Sequence, residues 1–211
     1  MDIVSGVGVI DKGVSILRAL AGSPLDLAGL QDATGLPRAT AHRLAVALEL
    51  HGMVRRDQQG RFCLGFELMR LGSAAEDEFP LAELTRPILT ALRDSTGESV
   101  QLYVADGEGR RCVVSLESTH GLRWIVPQGA LLPLDRGSAG RVLQGDDSAE
   151  SVEEREPGVA SVSAAVRDRR GGVIAAVSLS GPVERLTRRP AVRFGKQVSA
   201  AAREATAAVA R

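Results

Sequence analysis

Residues 26–64, DLAGLQDATGLPRATAHRLAVALELHGMVRRDQQGRFCL, decide the architecture of the first third of the chain. Asp26 stands where a side-chain oxygen can cap a helix, and Leu27, Leu30 and Ala33 follow at the spacing of one apolar side. Gly35 supplies the backbone freedom for a tight turn, and Pro37 falls where the first turn of a new helix tolerates a missing N–H. On that second helix Ala41, Leu44, Ala45 and Leu48 make one apolar face. The opposite face carries Ala39, His42, Arg43 and Val46, flanked by Arg38 and Thr40. Met53–Arg56 and Arg61–Leu64 then alternate like two strands around Asp57-Gln58-Gln59-Gly60. Two helices, a tight turn and a basic hairpin are the layout of a winged helix-turn-helix. The implied partner is double-stranded DNA, with small, cationic and hydrogen-bonding side chains facing a major groove.

The bulk composition hides this feature. Acidic and basic residues balance at 26 each, yet between Leu36 and Leu64 five arginines face only two acids, Glu49 and Asp57. Phosphate contacts depend on that local excess, not on whole-chain charge. Hydrophobic content of 44% and charged content of 25% belong to an ordinary globular chain, and 211 residues suffice for one large or two modest domains. An aromatic content of 3% argues against a single-strand binder built on stacking. No apolar run is long enough for a membrane span, and MDIVSGVGVIDKG lacks a basic segment followed by a hydrophobic core, so a cytoplasmic protein, on the nucleoid when bound to DNA, is expected. Cys63 and Cys112 lack neighbours at metal-ligand spacing and read as reduced, half-buried strand residues; no metal or cofactor is expected.

Outward from the quoted stretch, residues 9–21 place Ile10, Val14, Leu17 and Ala21 on one side of a supporting helix. Ser73–Pro80, SAAEDEFP, breaks the helical pattern begun at Phe66 and marks a linker, giving domains at 1–72 and 81–211. A helix over Leu81–Thr96 follows, with Leu84, Ile88, Ala91 and Leu92 inward, Pro87 inside it and Gly97 at its end. The period then changes to two. Strands are expected at 100–104, 112–116, 122–126, 158–166 and 173–180, the last two joined by a hairpin at Arg169–Gly172, and a final helix at 188–210. Strands bracketed by helices make an α+β domain with an antiparallel sheet.

Several of these stretches, in this order, resemble the IclR family of bacterial transcription regulators. They are TGLPRATAHRL (34–44), GRFCLG (60–65), STGESVQLYV (95–104) and LLPLDRGSAGRVL (131–143). EREPGVASVSAAVR (154–167) and AAVSLSGPVERLTR (175–188) look especially like the actinobacterial NdgR/AreB branch, which controls amino-acid metabolism genes. The resemblance implies a winged helix-turn-helix, a linker helix and a GAF-like effector-binding domain. It also implies homodimers or tetramers that associate through their N-terminal domains and read half-sites ~34 Å apart on operator DNA. Carried across, DNA contacts fall to Arg38, Thr40, His42 and Arg43 on the second helix and to Arg55, Arg56, Gln58 and Arg61 on the hairpin. The effector pocket falls to the backbone of Ser138, Ala139 and Gly140 and to Ser151, Ser161, Ser178 and Ser180, with Leu122, Val126 and Leu134 around them. That set implies a small carboxylate or amino-acid-like effector. Between residues 143 and 151 the chain is shorter than the family pattern, through a true deletion or an omitted disordered segment.

Other functions have less support in the residues. There is no G-x-S-x-G, no Gly-rich phosphate loop and no H-E-x-x-H, so no catalytic residues are assigned. Ser138 is the one plausible nucleophile, with only the distant His120 as a base, and Glu153, Glu154 and Glu156 with Asp146 and Asp147 read as a solvated acidic loop. The alternative within the regulator reading is a ligand-independent DNA-binding protein whose C-terminal domain serves only oligomerisation.

Overall fold

The chain's computed structural model describes residues 7–77 and 80–210. Residues 1–6, the start of the stretch read for a targeting segment, the Glu78–Phe79 pair of the expected linker, and Arg211 lie outside the described residues. Two compact units, Met1–Glu78 and Phe79–Arg211, make up the molecule.

In the first unit, α1 (Gly8–Leu20), α2 (Leu27–Thr34) and α3 (Arg38–Leu50) precede a hairpin of β1 (Val54–Arg56) and β2 (Phe62–Leu64), and α4 (Glu67–Asp77) follows. Asp26 caps α2 by accepting from the Gly29 amide at 2.8 Å, and Gly35 closes it in the left-handed conformation at φ 66°. Ile16, Leu20, Leu30, Ala45, Val54 and Phe62 form the core. Leu25 bridges to the free side of β2 through paired backbone bonds with Phe62 of 2.9 and 2.8 Å. The inward stripe of α1 is Ile16 and Leu20, whereas Ile10 and Val14 are exposed, as is Ala21 just past the helix end. That helix is apolar on two sides, so its periodicity alone does not choose between them. Nor does the helical pattern break at Ser73: α4 runs on to Asp77, because Ala74 and Ala75 favour a helix and the next breaker is Pro80.

The second unit is a six-stranded antiparallel sheet in the order β5-β4-β3-β8-β7-β6. Its strands are β3 (Ser99–Asp106), β4 (Gly109–Leu116), β5 (Leu131–Pro133), β6 (Ser148–Val152), β7 (Val159–Arg167) and β8 (Val173–Pro182). Its helices are α5 (Pro80–Thr96), α6 (Ser138–Leu143), α7 (Val183–Leu186) and α8 (Pro190–Val209). Leu89 and Leu92 of α5 and Phe194, Val198 and Ala202 of α8 cover one sheet face, formed by Val100, Leu102, Val114, Val162, Val177 and Leu179. Along α5 the buried residues are Thr85, Leu89 and Leu92; Leu84 and Ala91, expected inward, are exposed. Residues alternating with these strand positions face the other way, toward α6: Tyr103, Cys112 and Ala176 join Val126, Ala139 and Val142 there.

Two sequence expectations for this sheet differ from what is found. Leu122–Val126 is not a strand; its backbone is held by side chains, the Ser99 and Ser115 hydroxyls donating to the carbonyls of Trp124 and Val126 at 2.7 and 2.6 Å. Leu131–Pro133 takes the edge position instead. The acidic stretch is not a solvated loop throughout, because β6 runs through it and only Gln144–Asp147 separates α6 from β6. Both cysteines are free and buried rather than half-buried.

Candidate DNA-contact face and ligand cavity

On α3, Ala41 and Ala45 are buried against the core, with Leu44 and Leu48 half-buried beside them. Arg38, His42 and Arg43 are exposed and Thr40 is half-buried. Arg38 Nη1 donates to Gln31 Oε1 at 3.3 Å. His42 and Arg43 have no hydrogen bond or ion pair among the described residues, and both side chains extend from the outer side of the helix. The wing arginines differ from one another. Arg56 pairs with Glu49 at 3.3 Å and lies 4.1 Å over the Phe62 ring, and Arg61 pairs with Asp57 at 2.7 Å. Desolvation pushes the Asp57 carboxyl upward, but bonds from the amides of Arg61 and Gln59 and from the Arg61 guanidinium hold it below its ordinary value. Arg55 lies 5.2 Å over the exposed Phe66 ring, outside any ion pair among the described residues, and Gln58 is exposed at the tip of the hairpin. The two acids of the stretch therefore each hold one arginine. The local excess of three resides in Arg38, Arg43 and Arg55.

The second unit contains a cleft of about 380 Å³, its open mouth included, between the α6 face of the sheet and the segment carrying Trp124. Strand register builds its floor. Ser151 of β6, Ser161 of β7, Ser180 of β8 and Ser99 of β3 stand on one rung across four strands, with Ser163, Ser178 and Gln101 on the next. Ser138, the first residue of α6, bonds the hydroxyls of Ser161 and Ser163, both at 2.7 Å, and Ser180 donates to Gln101 Oε1 at 2.9 Å.

Six of the ten expected pocket residues line this cleft: Ser138, Ala139, Ser151, Ser161, Ser178 and Ser180. Four do not. Leu122 is 73% exposed, Val126 is buried beneath the cleft, and Leu134 and Gly140 pack against each other behind it. The amide of Gly140 is already used in the first turn of α6, donating to the Gly137 carbonyl at 3.1 Å. The Gly137 amide is also occupied, by Glu154 Oε2 at 3.0 Å, and the same carboxylate pairs with Arg141 at 2.9 Å. Burial pushes Glu154 upward, yet these bonds hold it below the usual carboxylate range.

Sequence reasoning missed Tyr103, Arg110, Trp124, Gly137, Arg155 and Val159, which complete the wall. Arg110 is 2% exposed and crosses the Tyr103 ring at 5.4 Å. Its Nη1 donates to the carbonyls of Pro133 and, at 2.7 Å, Arg136. Burial lowers its pKa to about 10, so it stays charged at neutral pH. The same burial pushes the Cys112 thiol up to about 12, and it raises Tyr103 too, with Cys112 adding to that rise. Arg155 lies 5.3 Å over the Trp124 ring. Ser138 contacts two other serines and no histidine, so it has no base within hydrogen-bonding reach. Among the described residues no group of three His, Cys, Asp or Glu could hold a metal, and no helix is long and apolar enough to cross a membrane.

Comparison with known proteins covers both units. Residues 9–58 match the model of the IclR helix-turn-helix domain. Residues 74–151 and 144–207 match that of the bacterial transcriptional regulator IclR C-terminal region, in two pieces that meet at the α6–β6 link. The glycerol operon regulatory protein of Streptomyces coelicolor is 30% identical over 96% of this chain and 94% of its own. Its alignment runs over 242 positions against a chain of 211, so this chain is the one with residues missing. The transcriptional repressor IclR of Escherichia coli is 26% identical over 94% of this chain and 89% of its own. Among solved structures, IclR of Thermotoga maritima superposes with a TM-score of 0.78 at 20% identity, covering 97% of this chain and 99% of that one. An IclR homologue of Microbacterium hydrocarbonoxydans complexed with 4-hydroxybenzoate superposes with a TM-score of 0.80 at 17% identity, covering 95% and 98%.

Proposed function

The chain belongs to the IclR family of bacterial transcriptional regulators and is a DNA-binding regulator; from that premise we propose that it represses its target promoters and that a small organic acid, held in the cleft of the second unit, controls its hold on DNA. The observation that carries the DNA contact is the outer side of α3, where Arg38, His42 and Arg43 are exposed and the last two have no partner among the described residues. Arg43 faces base edges, and Arg38 and Arg55 hold phosphates. Arg56 and Arg61, already paired with Glu49 and Asp57, shape the wing more than they grip DNA. Repression follows the named role of the Escherichia coli relative.

Support for an acid effector comes from the serine floor and from the organic acid held by the Microbacterium homologue. Control of amino-acid metabolism genes rests on the likeness of residues 154–167 and 175–188 to the actinobacterial branch. A homodimer, or a tetramer made from two, is supported by apolar side chains left exposed in the first unit: Val9 and Ile10 on α1, and Phe66 and Met69 at α4.

Recovering genomic fragments on the immobilised protein supplies a specific duplex, and gel shifts against a scrambled one then test the assignment. Arg43→Ala removes one base-reading contact of ~1–3 kcal/mol, so preference for the recovered fragment falls by about ten- to a hundredfold. Arg55→Ala weakens both duplexes alike. Equal loss of preference in the two variants refutes this division of roles, and recovery of no fragment above background refutes the whole reading.

A further inference from the structure

The cleft carries a charge imbalance that its serines do not explain. Arg110 and Arg155 both line it, and no Asp or Glu does. Their side chains converge at Gly137, where a β-carbon would lie 3.2 Å from Arg110 Nη2 and 3.5 Å from Arg155 Cδ. Neither guanidinium is in an ion pair among the described residues. Of the nearby acids, Asp135 pairs with Arg136 at 3.3 Å in solvent and acts on Arg110 only through its charge, and Glu154 is held by Arg141 and the Gly137 amide. Two buried side-chain atoms among the described residues lack a hydrogen-bond partner, one in the wall of the cleft and one beyond its lining. One is Arg110 Nε; the other is Gln101 Nε2, whose amide oxygen is bonded by Ser180 of the wall. Both are N–H donors in want of an acceptor.

Like charges brought together out of water repel, and an unpaired buried charge is costly. A ligand that supplies acceptors and negative charge at this point reverses both terms, whereas an ammonium group meets two cations and no carboxylate. We propose that the cleft is a site for a small organic dianion, a dicarboxylic acid. One carboxylate bridges Arg110 and Arg155 beside Gly137, and the other takes bonds from the serine hydroxyls that line the cleft. Zwitterionic amino acids are disfavoured. The inference rests on reading the cleft as the effector site and names the class of effector it takes.

Thermal shift and titration calorimetry on the full chain test it, with malonate, succinate and glutarate against propionate, succinamate, leucine and inorganic phosphate. A dicarboxylate of the best-fitting length binds at least tenfold more tightly than its monoamide or monoacid, and leucine does not compete. Arg155→Gln, at the half-buried mouth of the cleft, brings di- and monocarboxylate within about threefold of each other. Arg110→Met abolishes binding; should that variant not fold, Arg155→Gln decides alone. Monoacids or leucine binding as well as dicarboxylates, phosphate binding alone, or an unchanged preference in Arg155→Gln each overturn the dianion and leave an effector cleft standing in some other form. Binding of none of these compounds, by a protein that still retains its DNA fragment, overturns the effector reading itself.

Discussion

Gly140 sits in the first turn of α6, pressed between the Leu134 backbone and the Arg110 guanidinium. A β-carbon there would run into the Leu134 carbonyl oxygen and stand 3.0 Å from Arg110 Nη1. Its place in the motif is therefore one of close approach, allowing α6 to lie on the strand that carries Arg110. Gly140→Ala must push α6 or Leu134 aside, at a cost of ~1–3 kcal/mol as for other overpacked sites. It moves Ser138 relative to Ser161 and Ser163 as well, so ligand affinity falls together with the melting temperature. An alanine variant with both unchanged would place the constraint elsewhere. At this scale the serines were legible because they recur at every second position of VASVSAAV and VSLS, the period of a strand with one polar face. Arg110 was not. In the run Gly109-Arg110-Arg111-Cys112 both arginines look like solvated charges, and which of them turns inward is decided by register. The β3–β4 ladder slips between Leu102 and Tyr103, so the alternation cannot be counted through it from sequence.

Between elements, the junction of α5 and β3 is tied to α7 by one buried carboxylate. Glu98 is 2% exposed and accepts from Arg185 Nε and Nη2 at 2.6 and 2.8 Å. A β-carbon at Gly181 would come within 2.6 Å of its Oε2, so the glycine makes room for the pair. The two partners are not equivalent. Removing Glu98 leaves Arg185 with 27% of its side chain already in solvent, free to turn outward. Removing Arg185 strands a carboxylate in the interior, the case in which breaking a buried pair costs ~3–5 kcal/mol. Denaturant melts should show Arg185→Ala losing clearly more stability than Glu98→Ala, with the double variant no worse than Arg185→Ala alone. Equal and small losses would make the pair a surface one in energetic terms. Element existence was readable from period wherever one face was apolar and the other polar, as in α3, β7 and β8. It failed where another partner satisfied the backbone. Residues 122–126 have strand-like residues, yet hydroxyls of Ser99 and Ser115 take their carbonyls. Conversely β6, SAESV, looks like an acidic loop and becomes a strand only because β7 offers it an edge.

Over the whole molecule 26 basic residues balance 26 acidic ones, so long-range charge does little to draw this protein to DNA. What remains is local: Glu49 and Asp57 each neutralise one wing arginine, leaving Arg38, Arg43 and Arg55 as the cations outside ion pairs in this stretch. The winged-helix order itself was legible in the sequence, but this partition was not, because pairing across the hairpin depends on where strand register sets Arg56 and Arg61. It has a measurable consequence. If the protein binds as a dimer and the ion pairs persist on DNA, Arg38 and Arg55 of each protomer neutralise about four phosphates, and the slope of log K against log salt concentration is about −4. If Arg56 and Arg61 abandon their carboxylates for the backbone, about eight phosphates are neutralised and the slope approaches about −7. We expect the shallower value. Glu49→Gln should steepen it by freeing Arg56, a change opposite to that of Arg55→Ala. If a dicarboxylate acts through the second unit by shifting an equilibrium between states of unequal DNA affinity, it moves the binding curve by a constant factor at every salt concentration. If the ligand instead altered the slope, it would be changing the number of phosphates contacted, and the first unit would have to rearrange its charged residues whenever the cleft fills.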